Sequence, residues 1–224
     1  MQALFEKRRP TLWEHVVGQK EAIRELDCIR KACGTLGGRA YWLANPSGTG
    51  KTTIARLIAK EIAPQDWIEV DAQRCTLETV REMASYFAML NRPSLFSMAQ
   101  LGKVWIFNEA HHFRGTVLNE MLTALEPAGG IPECCAVVFT TTSAGEGKLF
   151  ADWEDASPFL SRCTKLTMTT RGLADAFAEM VHNIAESEGL NGRDMKWYKR
   201  LAMDSRNNAR EMLDAIQRGK AMPE

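Results

Sequence analysis

Apolar positions along this chain alternate between two spacings. Short apolar runs occur at Ala40–Ala44, Val104–Phe107 and Ala136–Phe139; Trp67-Ile68-Glu69-Val70 also reads as a strand, with Thr164–Met168 as a final candidate. Runs of this length read as strands, and those without polar alternation suit strands covered on both faces. Between them, helical spacing links Ile54, Leu57 and Ile58, then Leu77, Val80, Met83, Ala84, Phe87 and Leu90. It recurs at Val117, Leu118, Met121, Leu122 and Leu125, where Pro127, Gly129 and Gly130 close the helix. Thr11-Leu12-Trp13-Glu14 has the form of a capping box ahead of a helical stretch that ends near Cys33-Gly34. Strands alternating with helices predict an α/β fold with a parallel sheet and helices on both faces.

After Arg171-Gly172 the strand pattern stops. Leu173, Phe177, Met180, Val181 and Ile184 mark one helix, residues around Met195–Met203 a second, and Met212, Leu213 and Ile216 a third. The expected division is an α/β domain over 1–169 and a small all-helical domain over 170–224.

The strand at Ala40–Ala44 runs into Asn45-Pro46-Ser47-Gly48-Thr49-Gly50-Lys51-Thr52-Thr53, and a helix pattern follows. Strand, glycine loop and helix start is the context that a phosphate-binding loop needs. Gly48 and Gly50 let main-chain N–H groups turn inward, and the helix beginning near Lys51 adds its positive end. Lys51 is placed to bridge terminal phosphates, and the Thr52 hydroxyl to ligate Mg²⁺. Asn45 stands where the first glycine of G-x-x-x-x-G-K-[ST] belongs. Asn tolerates left-handed backbone better than most residues, so the loop is expected still to close.

The strand Val104–Phe107 ends in Asn108-Glu109-Ala110-His111. Glu109 is the candidate to orient or deprotonate an attacking water. Asn108 sits where an Asp would help hold Mg²⁺; its amide oxygen accepts hydrogen bonds but contributes no charge. His111 and His112 read as packing or surface residues, since no partner lies at metal-site spacing. The run Thr140-Thr141-Thr142-Ser143 brings hydroxyls to a central strand end, where either phosphate contact or simple β preference accounts for them.

Composition narrows the partners. The 224 residues contain 28 Lys+Arg and 28 Asp+Glu, so bulk charge advertises neither nucleic acid nor a membrane surface. No run approaches the roughly 20 apolar residues of a membrane span, and the N-terminus is charged and not signal-like, which points to the cytoplasm. The six cysteines form no C-x-x-C pair; reduced, mostly buried thiols are expected and no zinc site. Between 191 and 220, eight basic residues stand against four acidic ones, which a solvated helix face or phosphate contact explains about equally well.

Taken together, these motifs resemble the AAA+ ATPases, and among them the clamp-loader subunits of the replication factor C and bacterial tau-gamma type. Lys7-Arg8-Arg9-Pro10 with Val17-Gly18-Gln19 is similar to the family's adenine-binding segment. Residues 45–53 resemble its Walker A loop and 104–109 its Walker B strand. Thr142 falls at its sensor-one position, Ser161-Arg162-Cys163 matches its arginine-finger motif, and Asn208-Ala209-Arg210-Glu211 resembles its sensor two. The resemblance implies a five-stranded parallel ATPase domain, a helical lid, and ATP with Mg²⁺ between them. It also implies a homo- or hetero-oligomer in which Arg162 completes a neighbour's site, with DNA and a clamp or other replication protein as partners. Three departures stand out: Asn45, Asn108, and an end after the helical domain, without collar helices or a cysteine zinc module. A minimal clamp-loader-like ATPase of a phage or other mobile replicon is therefore expected. Its alternatives are an ATP-binding assembly module with little hydrolysis, favoured by Asn108, and a small-molecule kinase, which leaves Arg162 and Arg210 unexplained.

Overall fold

In the computed structural model, residues 2–91, 102–126, 130–152, 156–169 and 171–222 are described. The predicted helix stop at Pro127 and Gly129, and Thr170 at the expected domain boundary, lie outside them.

Five strands form one parallel sheet: β1 (Arg39–Ala44), β2 (Trp67–Asp71), β3 (Lys103–Asn108), β4 (Cys135–Thr141) and β5 (Cys163–Lys165), in the order β2-β3-β4-β1-β5. The α/β class and the parallel five-stranded sheet agree with the expectation. The helices are α1 (Leu4–Lys7), α2 (Lys20–Cys33), α3 (Lys51–Ile62), α4 (Leu77–Leu90), α5 (Gly115–Ala124), α6 (Ser143–Asp152), α7 (Ala156–Ser161), α8 (Leu173–Ser187), α9 (Met195–Asp204) and α10 (Ala209–Gln217).

Alternation along the strands sorts the core into two faces. Trp42, Trp105, Phe107, Val137 and Phe139 point one way and pack with α4, α5 and Phe159 of α7. Tyr41, Leu43, Val104, Ile106 and Val138 point the other way, onto α2 and α3. A third cluster joins Leu4 of α1 to α8, α9 and α10. The N-terminal segment is thus bound to the last helices: the Leu4 N–H donates to Gln217 Oε1 at 2.7 Å, and Lys7 and Arg8 both pair with Glu188.

Three local expectations need correction, and two helices are not anticipated. Thr11–Glu14 is no capping box: a single 3-10 turn spans Trp13–His15 and Leu12 makes no side-chain cap. Trp13 instead docks sideways, donating from Nε1 to Glu61 at 2.8 Å beneath the Arg30 guanidinium, so packing overrides the local signal. The last strand is shorter than Thr164–Met168. Beyond Lys165, Leu166 keeps one bond to Trp42 O and is buried, while Met168 packs onto the α2–α3 side. After β4 the chain enters α6 and α7, which the hydrophobic spacing does not announce. Finally, all six cysteines are free, but Cys28 and Cys33 are exposed.

The Phe139 ring lies 5.0 Å from that of Phe159, 5.6 Å from Phe107, 6.0 Å from Phe113 and 6.1 Å from Trp42. Phe139→Ala leaves a cavity among four rings and is expected to cost about 3–5 kcal/mol, read from urea unfolding. A loss below about 1 kcal/mol would show that this cluster does not anchor the sheet.

Candidate functional site

The cleft is built where β1, an inner strand between β4 and β5, leads through the glycine loop into α3. Gly48 (φ 74°) and Gly50 (φ 102°) take left-handed conformations that other residues adopt at a cost, and Gly50 is the N-cap of α3. Asn45 does not use that region. Its main-chain N–H donates to Thr141 O at 3.2 Å and its side chain to Thr169 O at 3.1 Å, so at this position the loop is held by hydrogen bonding and not by left-handed backbone.

Lys51 is 93 % removed from solvent, at 7 % exposure, and donates to the carbonyls of Asn45 (2.7 Å) and Pro46 (2.9 Å). Burial pulls its pKa down to about 8; the Glu109 carboxylate opposes that shift and the Arg210 guanidinium adds to it. Thr52 lines the same cleft, and Thr53 accepts from the Arg9 guanidinium at 3.1 Å. Arg9 is held in turn by Glu6, which also pairs with Arg56; these cations hold the Glu6 carboxyl below its usual range.

Glu109 follows β3 in a left-handed conformation (φ 54°, ψ 47°), which costs a non-glycine residue roughly 1–2 kcal/mol. That turn lifts its carboxylate to the cleft at 42 % exposure, where Oε2 lies 3.5 Å from His111 Nδ1. The same nitrogen is 2.8 Å from Thr141 Oγ1. The sequence reads His111 as a packing or surface residue; its contacts place it beside Glu109, and nothing in its spacing signals that.

Arg210 enters from the far side in the first turn of α10. Asn208 caps this helix by accepting from the N–H groups of Arg210 (3.2 Å) and Glu211 (3.4 Å), and the Arg210 guanidinium lies 5.1 Å over the Phe5 ring. One cleft therefore gathers Arg9, Pro10, Val17, Ser47, Gly48, Thr49, Gly50, Lys51, Thr52, Thr53, Glu109 and Arg210. Gly18 stands beside it with its backbone against Leu173.

Other candidates lie elsewhere. Asn108 does not line the cleft, and its Oδ1 accepts from Thr140 at 2.9 Å. The Thr142 hydroxyl accepts from the Gly145 N–H at 3.0 Å and so caps α6. Arg162, at the end of α7, is outside the cleft; it donates to Pro158 O at 2.8 Å and reaches Glu126 at 3.4 Å. An apolar wall of Phe5, Phe177, Met180, Ile184 and Leu213 was missed as a binding surface, because helical spacing assigns four of these residues to a core stripe. A wider open groove of about 990 Å³ lies along α4 and against the first turn of α5; among the described residues no glycine lines it and no buried lysine enters it. Among the described residues no group of three His, Cys, Asp or Glu could hold a metal, and no helix is long and apolar enough to cross a membrane.

A model of the ATPase family associated with various cellular activities (AAA) matches residues 41–150, the stretch from β1 through β4 that carries Lys51 and Glu109. Residues 41–150 are an AAA domain. The chain bearing it is 25 % identical over 213 residues to the DNA polymerase III subunit gamma/tau of Mycoplasma genitalium, covering 84 % of this chain and 32 % of that protein. It is 26 % identical over 215 residues to the tau subunit of Bacillus subtilis, again 84 % of this chain and 34 % of the relative. The chain thus spans about a third of those proteins. The fold is shared with the RuvB Holliday junction branch migration motor of Thermotoga maritima, at TM-score 0.69 and 22 % identity over 94 % of this chain and 64 % of that one.

Because the AAA domain's Lys51 has a folded pKa near 8 against an ordinary 10.5, the unfolded chain binds more protons between those values. The native chain is therefore expected to gain stability relative to Lys51→Met as pH rises from 8 towards 10. Urea unfolding of both at pH 7.5 and 9.5 checks this; a stability gap independent of pH contradicts it.

Proposed function

We propose that this chain binds ATP with Mg²⁺ in the loop cleft and hydrolyses it between subunits, in the cytoplasm, to load or remodel a partner on DNA. The observation that carries the reading is the buried Lys51 cation sharing one cleft with Thr52, Glu109 and Arg210. In this reading residues 1–169 form the ATPase domain and 170–224 a helical lid. The main-chain N–H groups of Ser47–Thr53 and the Lys51 ammonium bind the phosphates, while the wall of Phe5, Val17, Met180 and Ile184 takes the base. The Thr52 hydroxyl fits a metal held chiefly by the nucleotide, and Mg²⁺ there would neutralise phosphate charge. Glu109 orients and deprotonates the attacking water, and Arg210 stabilises charge on the terminal phosphate.

Arg162 has no part in its own cleft, which supports action on a neighbouring subunit's nucleotide in a homo- or hetero-oligomer. Similarity to polymerase III gamma/tau subunits supports a clamp or another replication protein as the loaded partner. Direct DNA contact through the basic 191–220 stretch is weakened by ion pairs, since Lys199, Arg200 and Arg218 face Asp175, Asp204 and Asp214. The second reading is a nucleotide-gated assembly module that turns over little ATP. It is favoured by Asn108, uncharged and engaged by Thr140.

Steady-state ATP hydrolysis with and without primed DNA separates the two. Glu109→Gln and Arg162→Ala are each expected to lose about a hundredfold or more, and mixing the two inactive variants to restore part of the rate. A native rate at background that only Asn108→Asp raises would replace the motor reading with the assembly module.

A further inference from the structure

Asn45 and Gln19 do something that a phosphate-binding loop does not require. Gln19 is fully buried and Asn45 is 3 % exposed. Both aim their side-chain amides at the main chain of Thr169, just after β5 and just before α8. The Thr169 carbonyl accepts from Asn45 Nδ2 and from Gln19 Nε2, each at 3.1 Å, and the Thr169 N–H donates to Gln19 Oε1 at 2.9 Å. Gln19 Nε2 also donates to the carbonyl of Thr49, inside the loop, at 3.0 Å. Gln19 therefore pairs with Thr169 as a neighbouring strand would, while touching the loop with the same nitrogen.

The loop also grips the helical segment at a second point. The Ala209 N–H donates to Gly48 O at 3.2 Å, and a Cβ placed on Gly48 would lie 1.7 Å from Asn208 Oδ1. Arg206 and Asn207, immediately before, both hold left-handed backbone (φ 50° and 59°). Thus the segment containing α8, α9 and α10 is tied to the loop both at its entry and at the start of its last helix.

We propose that Asn45 and Gln19 are positioning residues: their clasp on Thr169 makes the placement of α8–α10 depend on the conformation of the loop, so that triphosphate binding and helical-segment closure are one event. Asn45, which departs from the glycine of the loop pattern, acts as the loop's anchor to the segment junction. This rests on the nucleotide-binding reading above. It makes a prediction opposite in sign to the motif: Asn45→Gly restores the usual loop residue yet loosens the coupling. Gln19→Glu, nearly isosteric, replaces a donor with an acceptor facing two carbonyls and loosens it further.

Hydrogen exchange read by mass spectrometry, with and without MgATPγS, tests this on the native chain, Asn45→Gly and Gln19→Glu, alongside equilibrium affinity for the same nucleotide. The native chain is expected to gain protection both at residues 47–58 and at 171–187. In the variants the loop remains protected at saturating nucleotide while protection at 171–187 is lost, and affinity falls roughly tenfold. Loop and helical protection both retained at native affinity in Asn45→Gly overturns the clasp and leaves nucleotide binding standing. No loop protection in the native chain overturns the nucleotide reading and the clasp with it. Circular dichroism of each variant establishes that it is folded; if Gln19→Glu is not, Asn45→Gly alone decides.

Discussion

A lysine ammonium buried at the start of α3, beyond the loop that leaves β1, is the constraint that organises this molecule. Removing a cation from water is expensive unless it is paired, and among the described residues Lys51 is met by two loop carbonyls and, across the cleft, by the Glu109 charge, against the Arg210 charge. Its depressed pKa records the incomplete compensation. Such a cation is poised for an anion, and the start of α3 directs further N–H groups to the same place. A sheet in which β1 lies between β4 and β5 is what allows this: both faces of the strand are covered, so the loop leaving it is held on a rigid base.

The remaining groups of the cleft are brought by three other parts of the chain. β3 delivers Glu109 through one left-handed residue. The N-terminal segment delivers Arg9, which the Glu6 carboxylate orients towards Thr53. The last helices deliver Arg210, and their attachment through Asn208, Thr169 and Leu4 sets where that guanidinium lies. The left-handed residues stand at turns that present these groups: Glu109 directly after β3, and Arg206 and Asn207 just before α10.

Periodicity made the sheet and most helices legible, because strands buried on both faces and amphipathic helices write their burial directly into spacing. The loop was legible because Gly48, Gly50, Lys51 and Thr52 form a local pattern. What escaped the sequence depends on long-range contacts. Trp13 packs against Glu61 and Arg30 and defeats a local capping signal; Thr142 spends its hydroxyl on α6, a helix with weak amphipathic spacing. Asn45 could be flagged as a departure, but its partner is 124 positions away, and no local rule connects them. The apolar wall of Phe177, Met180 and Ile184 was visible as a stripe, though a stripe alone does not say whether it meets a core or a ligand.

The claim on which the account stands is that the buried Lys51 makes this cleft a triphosphate site. Calorimetric titration with MgATP addresses it without reference to turnover or assembly. One site per chain is expected, with binding lost in Lys51→Ala while the fold persists. MgATP binding of unchanged affinity in Lys51→Ala, or none by the folded native chain, would contradict it.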